Sequence, residues 1–154
     1  MKTTKLEKLS ACSDAIEWVK TQIDPEAAWD NCERGDWMLW IAKKLDIDDR
    51  LLTLAKATCA NQVRHLMTDQ RSIDALDACF RYAKGEITRE ELNTFADADA
   101  DDYADAASAS AYYADAAASA ARQDSLKKSA DICREILTDV VLQKYKKLRY
   151  AKNK

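Results

Sequence analysis

The chain has 154 residues, 47% of them hydrophobic and 33% charged, with a formal net charge of −3. That length closes one core without disulfides or metals, and the near-neutral balance excludes nucleic-acid binding by bulk charge. Two Gly and one Pro exclude a loop-rich or low-complexity chain, and no apolar run approaches the length that spans a bilayer.

Apolar residues recur at helical spacing almost throughout, so the sequence predicts an all-α, single-domain helical bundle of about six to seven helices over residues 1–154. Leu6, Leu9, Ile16 and Val19 mark one face of a first helix. Lys2, Lys5 and Lys8 precede no signal-peptide core, so a cytosolic protein is expected. Asp24-Pro25 reads as an N-cap followed by Pro at the first helical position, opening a short helix with Trp29. Gly35 breaks that helix, and Asp36 is placed to cap the next. Trp37, Leu39, Trp40, Ile41 and Leu45 make this next helix apolar nearly all round, which predicts a central position. Asp46 to Asp49 supply the following turn and cap. Helical spacing then runs from Arg50 to Met67 and, after Asp69 to Ser72, from Ile73 to Ala83, with Gly85 as a C′ residue. Thr88-Arg89-Glu90-Glu91 is a capping box. A final helix from about Ser125 is expected to bury Ile132, Ile136, Leu137, Val140 and Val141. The basic end, 144–154, carries six positive charges and no acid. It reads as a frayed, solvated C-terminus whose charge suits the helix macrodipole, rather than as a nucleic-acid contact.

The Thr88 box opens into an unusual tract. Of the 26 residues 96–121, fourteen are Ala and six are Asp, with no Lys, Arg, Gly or Pro. Such a composition predicts one Ala/Asp-rich helix from the capping box to about residue 121, on the order of 50 Å long, unless the Asp cluster hides a break. Asp97, Asp101 and Asp105 recur at i, i+4, i+8, which stacks like charges on one face at a cost of a few tenths of a kcal/mol per pair. They lie too far from the first turn for the macrodipole to offset that repulsion. The stripe, with Asp102, is therefore a candidate surface for a cationic partner. Tyr103, Tyr112 and Tyr113 are the large residues of the tract and candidate interface anchors. On another face, Ala100, Ala104, Ala107, Ala111, Ala114, Ala118 and Ala121 form a small-residue seam. It suits close helix packing within the bundle or, second, a homodimer.

Other chemistry is poorly represented. Five Cys, at 12, 32, 59, 79 and 133, show no metal-ligand spacing and read as reduced thiols, mostly in the core. Cys59 with His65 lacks any accompanying nucleophile signature. Asp101-Asp102-Tyr103-Ala104-Asp105 matches the aspartate-rich pattern with which all-α isoprenoid synthases hold magnesium. That chemistry needs a second acidic motif and a larger chain, so no metal, cofactor or enzymatic activity is expected. Trp29, Trp37 and Trp40 read as core.

Three segments carry a family resemblance: Asn31-Cys32-Glu33-Arg34-Gly35-Asp36-Trp37-Met38-Leu39-Trp40-Ile41-Ala42-Lys43-Lys44-Leu45, then residues 52–57, then Ala130-Asp131-Ile132-Cys133-Arg134-Glu135-Ile136-Leu137. Over roughly residues 8–140 the chain resembles the helical, Imm5-like immunity protein family of bacteria and their phages, with Gly35-Asp36-Trp37 the most specific element. The resemblance implies an all-α, non-enzymatic protein that neutralises another protein by binding it, with the Ala/Asp tract as its variable part. It assigns no site residues. The expectation is a cytoplasmic inhibitor, in a bacterium or a phage-infected host, whose Asp stripe meets the basic cleft of a toxin or nuclease. The alternative is a phage anti-defence inhibitor of the anti-CRISPR type, with carboxylates placed where DNA phosphates would bind.

Overall fold

A computed structural model describes residues 4–95 and 119–150, which form eight α-helices and one 3₁₀ turn, with no strand among them. In chain order the helices are α1 (Thr4–Lys8), α2 (Ser13–Lys20), α3 (Pro25–Asn31), α4 (Gly35–Lys44) and α5 (Asp49–Asn61). The turn Arg64–Leu66 follows, then α6 (Gln70–Ala83), α7 (Arg89–Phe95) and α8 (Ser119–Tyr150). The chain is all-α.

Local chemistry sets four of the helix starts. The Asp24 carboxylate accepts the Ala27 N–H at 2.8 Å ahead of Pro25, Asp48 accepts the Leu51 N–H at 3.0 Å, and Asp69 accepts the Arg71 N–H at 2.9 Å. At α7 the capping box closes reciprocally: the Glu91 N–H donates to Thr88 Oγ1 at 3.1 Å and the Thr88 N–H to Glu91 Oε2 at 2.7 Å. Asp36 departs from its expected role as a cap. It lies inside the first turn of α4 and takes two hydrogen bonds from Arg34, one of them at 2.9 Å.

Three helices stop in the same way. At Gly85 (φ 80°) the Gly85 N–H donates to the Tyr82 carbonyl and the Glu86 N–H to that of Arg81, both at 2.9 Å, the paired bonds of a Schellman closure. Asp46 (φ 54°) ends α4 and Ser10 (φ 63°) ends α1 with the same pair of bonds. The Ser10 closure splits into α1 and α2 what the apolar spacing reads as one helix. Residues without glycine's freedom rarely adopt a positive φ, so no local signal marks the break.

Other boundaries move as well: α6 opens at Gln70 rather than Ile73, and α8 at Ser119 rather than about Ser125. Helix α5 ends at Asn61 instead of reaching Met67, because the Gln62 side chain turns back to donate to the Cys59 carbonyl (3.3 Å) and to Ser129 Oγ (3.1 Å). The basic end is not frayed over residues 144–150: α8 continues to Tyr150, Lys144 Nζ donates to the Asp46 carbonyl at 3.1 Å, and Lys146 pairs with Glu26 at 3.6 Å.

Helix α8 is the spine. Its 32 residues span about 48 Å, and α4, α5 and α3 pack along it. The fully buried stripe is Leu126, Ser129, Ala130, Cys133, Leu137 and Val141, whereas Ile132, Ile136 and Val140 are only half-buried on its flanks. Small residues occupy the centre of that stripe because α4 approaches there at backbone distance. A Cβ placed on Gly35 would lie 2.4 Å from Ser129 Cβ and 2.8 Å from the Ala130 nitrogen.

Helices α5, α6 and α7 build the other flank around Leu76, Ala78, Tyr82, Ile87 and Leu92. Tyr82 is held on every side there. Its hydroxyl donates to Asp49 at 2.6 Å, and the Arg50 and Arg89 guanidinium groups lie 4.4 Å and 4.7 Å from its ring centroid. Arg89 also pairs with Asp49.

Candidate functional site

Asp97, Asp101, Asp102, Asp105, Tyr103, Tyr112 and Tyr113 all lie outside the described residues, as does the Ala seam apart from Ala121. The tract that carries them is joined at one end to α7, anchored by buried Leu92, and at the other to α8.

The other chemical candidates resolve into packing. Cys59 is wholly buried and its thiol donates to the Ser129 carbonyl at 3.8 Å, while His65 is exposed on the 3₁₀ turn. A nucleophile in that position cannot meet a substrate. Cys133 is equally buried, donates to the Gly35 carbonyl at 3.9 Å, and is held far above its ordinary pKa by its hydrogen bond with Cys59 and by burial. Burial also pushes the Cys32 and Cys79 thiols up. All five cysteines are free thiols, and only Cys12 is exposed. No group of three His, Cys, Asp or Glu that could hold a metal occurs among the described residues.

The three segments that carry the family resemblance meet at one junction. Gly35 sits against Ser129 and Ala130, and Met38, Leu39, Ala42, Leu52, Ala55, Cys133 and Leu137 share one cluster. Arg134 donates to the Cys32 carbonyl at 2.7 Å and the Asp30 carbonyl at 3.2 Å, covering the open end of α3. Trp29 Nε1 donates to Thr138 Oγ1 at 2.9 Å. Gly35-Asp36-Trp37 is thus a helix-crossing element: the glycine admits α8, Asp36 binds Arg34, and the Arg34 guanidinium lies 4.4 Å from the Trp37 ring centroid.

The outer face of α4 forms a site that the sequence reading missed. Trp29 is buried as expected, but Trp37 and Trp40 are only half-buried. With Ile41 and Lys44 they follow the i, i+3, i+4, i+7 pattern of a second helix face, opposite Met38, Leu39 and Ala42. This face floors a largely apolar cleft of about 740 Å³, walled by α1 and α2 on one side and by the C-terminal half of α8 on the other. Trp18 stands over Trp37 with ring centroids 6.0 Å apart and planes at 57°. Val141, Leu142 and Tyr145 close the α8 side, and Leu148 lies exposed at its end.

Charge on the lining is one-sided. Lys5, Lys8, Arg34 and Lys44 face the cleft against a single carboxylate, Asp36, which Arg34 already holds. Lys5 and Lys44 rest near the Tyr145 and Trp40 rings at 5.6 Å and 5.8 Å, and no carboxylate pairs with Lys5, Lys8 or Lys44 among the described residues. The signal was present in the sequence: a ten-residue helix that is apolar nearly all round needs cover on two faces, and the bundle core covers only one. No described helix is long and apolar enough to cross a membrane. A scan of protein-family models finds no match to this chain, and searches of curated proteins and of solved structures likewise find none.

Proposed function

We propose that the protein is a non-enzymatic, immunity-type inhibitor that binds a toxin or nuclease through the carboxylates of Asp97, Asp101, Asp102 and Asp105, with Tyr103, Tyr112 and Tyr113 as anchors. The observation that carries this reading is the contrast in how the chain places its acids. Among the described residues, several acids have a partner within the fold: Asp49, Asp77 and Glu33 pair with Arg89, Arg64 and Lys127, and Asp24, Asp48 and Asp69 cap helices. The tract holds six Asp and no cation of its own. Its repulsion is offset when the stripe meets a basic cleft. The resemblance of residues 31–45, 52–57 and 130–137 to immunity proteins supports a binding role over catalysis.

The test is inhibition of a candidate nuclease toxin by the variant with Asn at all four Asp positions. Loss of inhibition with unchanged helicity, steeper weakening of the parent complex at higher salt, and competition by nucleic acid are the expected results. Full inhibition by the Asn variant, or indifference to nucleic acid, removes the stripe from the mechanism.

A further inference from the structure

We infer that the tryptophan-floored cleft between α1–α2, α4 and α8 binds an amphipathic anion: a long-chain aliphatic carboxylate, with its tail on Trp37, Trp40 and Ile41 and its head among Lys5, Lys8 and Lys44. This inference does not rest on the Asp stripe.

Size, shape and charge each contribute to the inference. A volume of about 740 Å³ falls within the range of about 300–1,000 Å³ typical of small-molecule sites. The lining is apolar over most of its area, which suits a flexible hydrocarbon, and the half-buried indole rings offer broad surfaces to it. Of the charged groups on the lining, four are cationic and one, Asp36, is a carboxylate. Arg34 is committed to Asp36, while Lys5, Lys8 and Lys44 line the same cleft and pair with no carboxylate among the described residues. A cationic head would meet three like charges there, and a neutral tail would leave all three unused. A carboxylate answers both conditions in one molecule. Lysine suits this role, because its flexible stem lies along apolar surface while its ammonium reaches a head group at the rim.

Titration with dodecanoate below its micellar concentration, read by intrinsic tryptophan fluorescence and by calorimetry, tests the assignment. Trp18, Trp29, Trp37 and Trp40 all line the cleft, so occupancy reports directly. Saturable binding of one equivalent is expected, tightening by roughly fourfold per methylene from octanoate to dodecanoate. Undecyltrimethylammonium, with the same alkyl tail and the opposite charge, is expected to bind at least about tenfold more weakly. The triple variant Lys5→Ser, Lys8→Ser, Lys44→Ser should erase the preference between the two heads and keep the chain-length dependence, with circular dichroism confirming the fold. Ile41→Gln should weaken the long-chain ligand and leave the charge preference. Absence of saturable binding, equal affinity for both heads, or an unchanged head preference in the triple variant overturns the proposal. Self-association in sedimentation that dodecanoate leaves undisturbed, with no binding to the monomer, would assign the cleft to a second copy and overturn it as well.

Discussion

Substituting Gly35→Ala probes the contact on which the bundle is centred. The added methyl would stand 2.4 Å from Ser129 Cβ, 2.7 Å from the Ser129 carbonyl carbon and 2.8 Å from the Ala130 nitrogen. Non-bonded carbons rest at about 3.5–4.0 Å, so α4 and α8 must part by on the order of 1 Å. The same movement loosens Met38, Leu39 and Ala42, which are 2%, 2% and 0% exposed and share one cluster with Cys133 and Leu137. Overpacking of this kind costs about 1–3 kcal/mol. The clash with two backbone atoms, which cannot rotate away, places this site at the upper end. Alanine's helix preference over glycine returns at most about 1 kcal/mol, and less at the first residue of a helix. A net loss of about 2 kcal/mol is expected, lowering Tm by roughly 4–8 °C for a chain of this size. Urea unfolding followed by tryptophan fluorescence measures it, with an unchanged m-value showing that stability alone has moved. Adding Ser129→Gly removes the 2.4 Å contact and leaves the other two, so it should restore only part of the loss. A change below about 0.5 kcal/mol in Gly35→Ala, or complete rescue by Ser129→Gly, would refute the close helix crossing.

Leu137→Ala, at a wholly buried position on the α8 stripe, should cost about 2–5 kcal/mol in the same unfolding assay. Trp40→Ala should cost only about 1–2 kcal/mol, because the ring is half-buried over the cleft; a loss of core magnitude would place Trp40 inside the bundle. Thr88→Ala removes one side of the α7 capping box and should cost about 1 kcal/mol with circular dichroism nearly unchanged. Thiol titration of the native protein should find Cys12 reacting first, with Cys32, Cys59 and Cys133 reacting only on unfolding. Because burial raises the Cys32 thiol, and the hydrogen bond with Cys59 together with burial raises that of Cys133, moving from pH 7 to pH 9 should not open those two to reagent.

Reading the chain alone settled what depends on neighbours in sequence. The all-α class follows from apolar spacing. The caps at Asp24 and Asp48, the Thr88–Glu91 box and the Gly85 stop follow from groups that reach only three residues or so along the backbone. The acidic tract is equally plain as composition. Tertiary structure decided whatever depends on which faces meet. Ser10 takes a left-handed conformation that its residue type does not announce. Ile132 and Ile136 yield the centre of α8 to Ser129, Ala130 and Cys133, because Gly35 brings another backbone too close for larger side chains. The same geometry decides the tryptophans. Periodicity shows that α4 is apolar nearly all round, but only the packing shows that Met38, Leu39 and Ala42 face the core while Trp37 and Trp40 are left to floor a cleft. Hydrophobic burial has no direction of its own, so which face of such a helix stays open is set by the shapes packed against it.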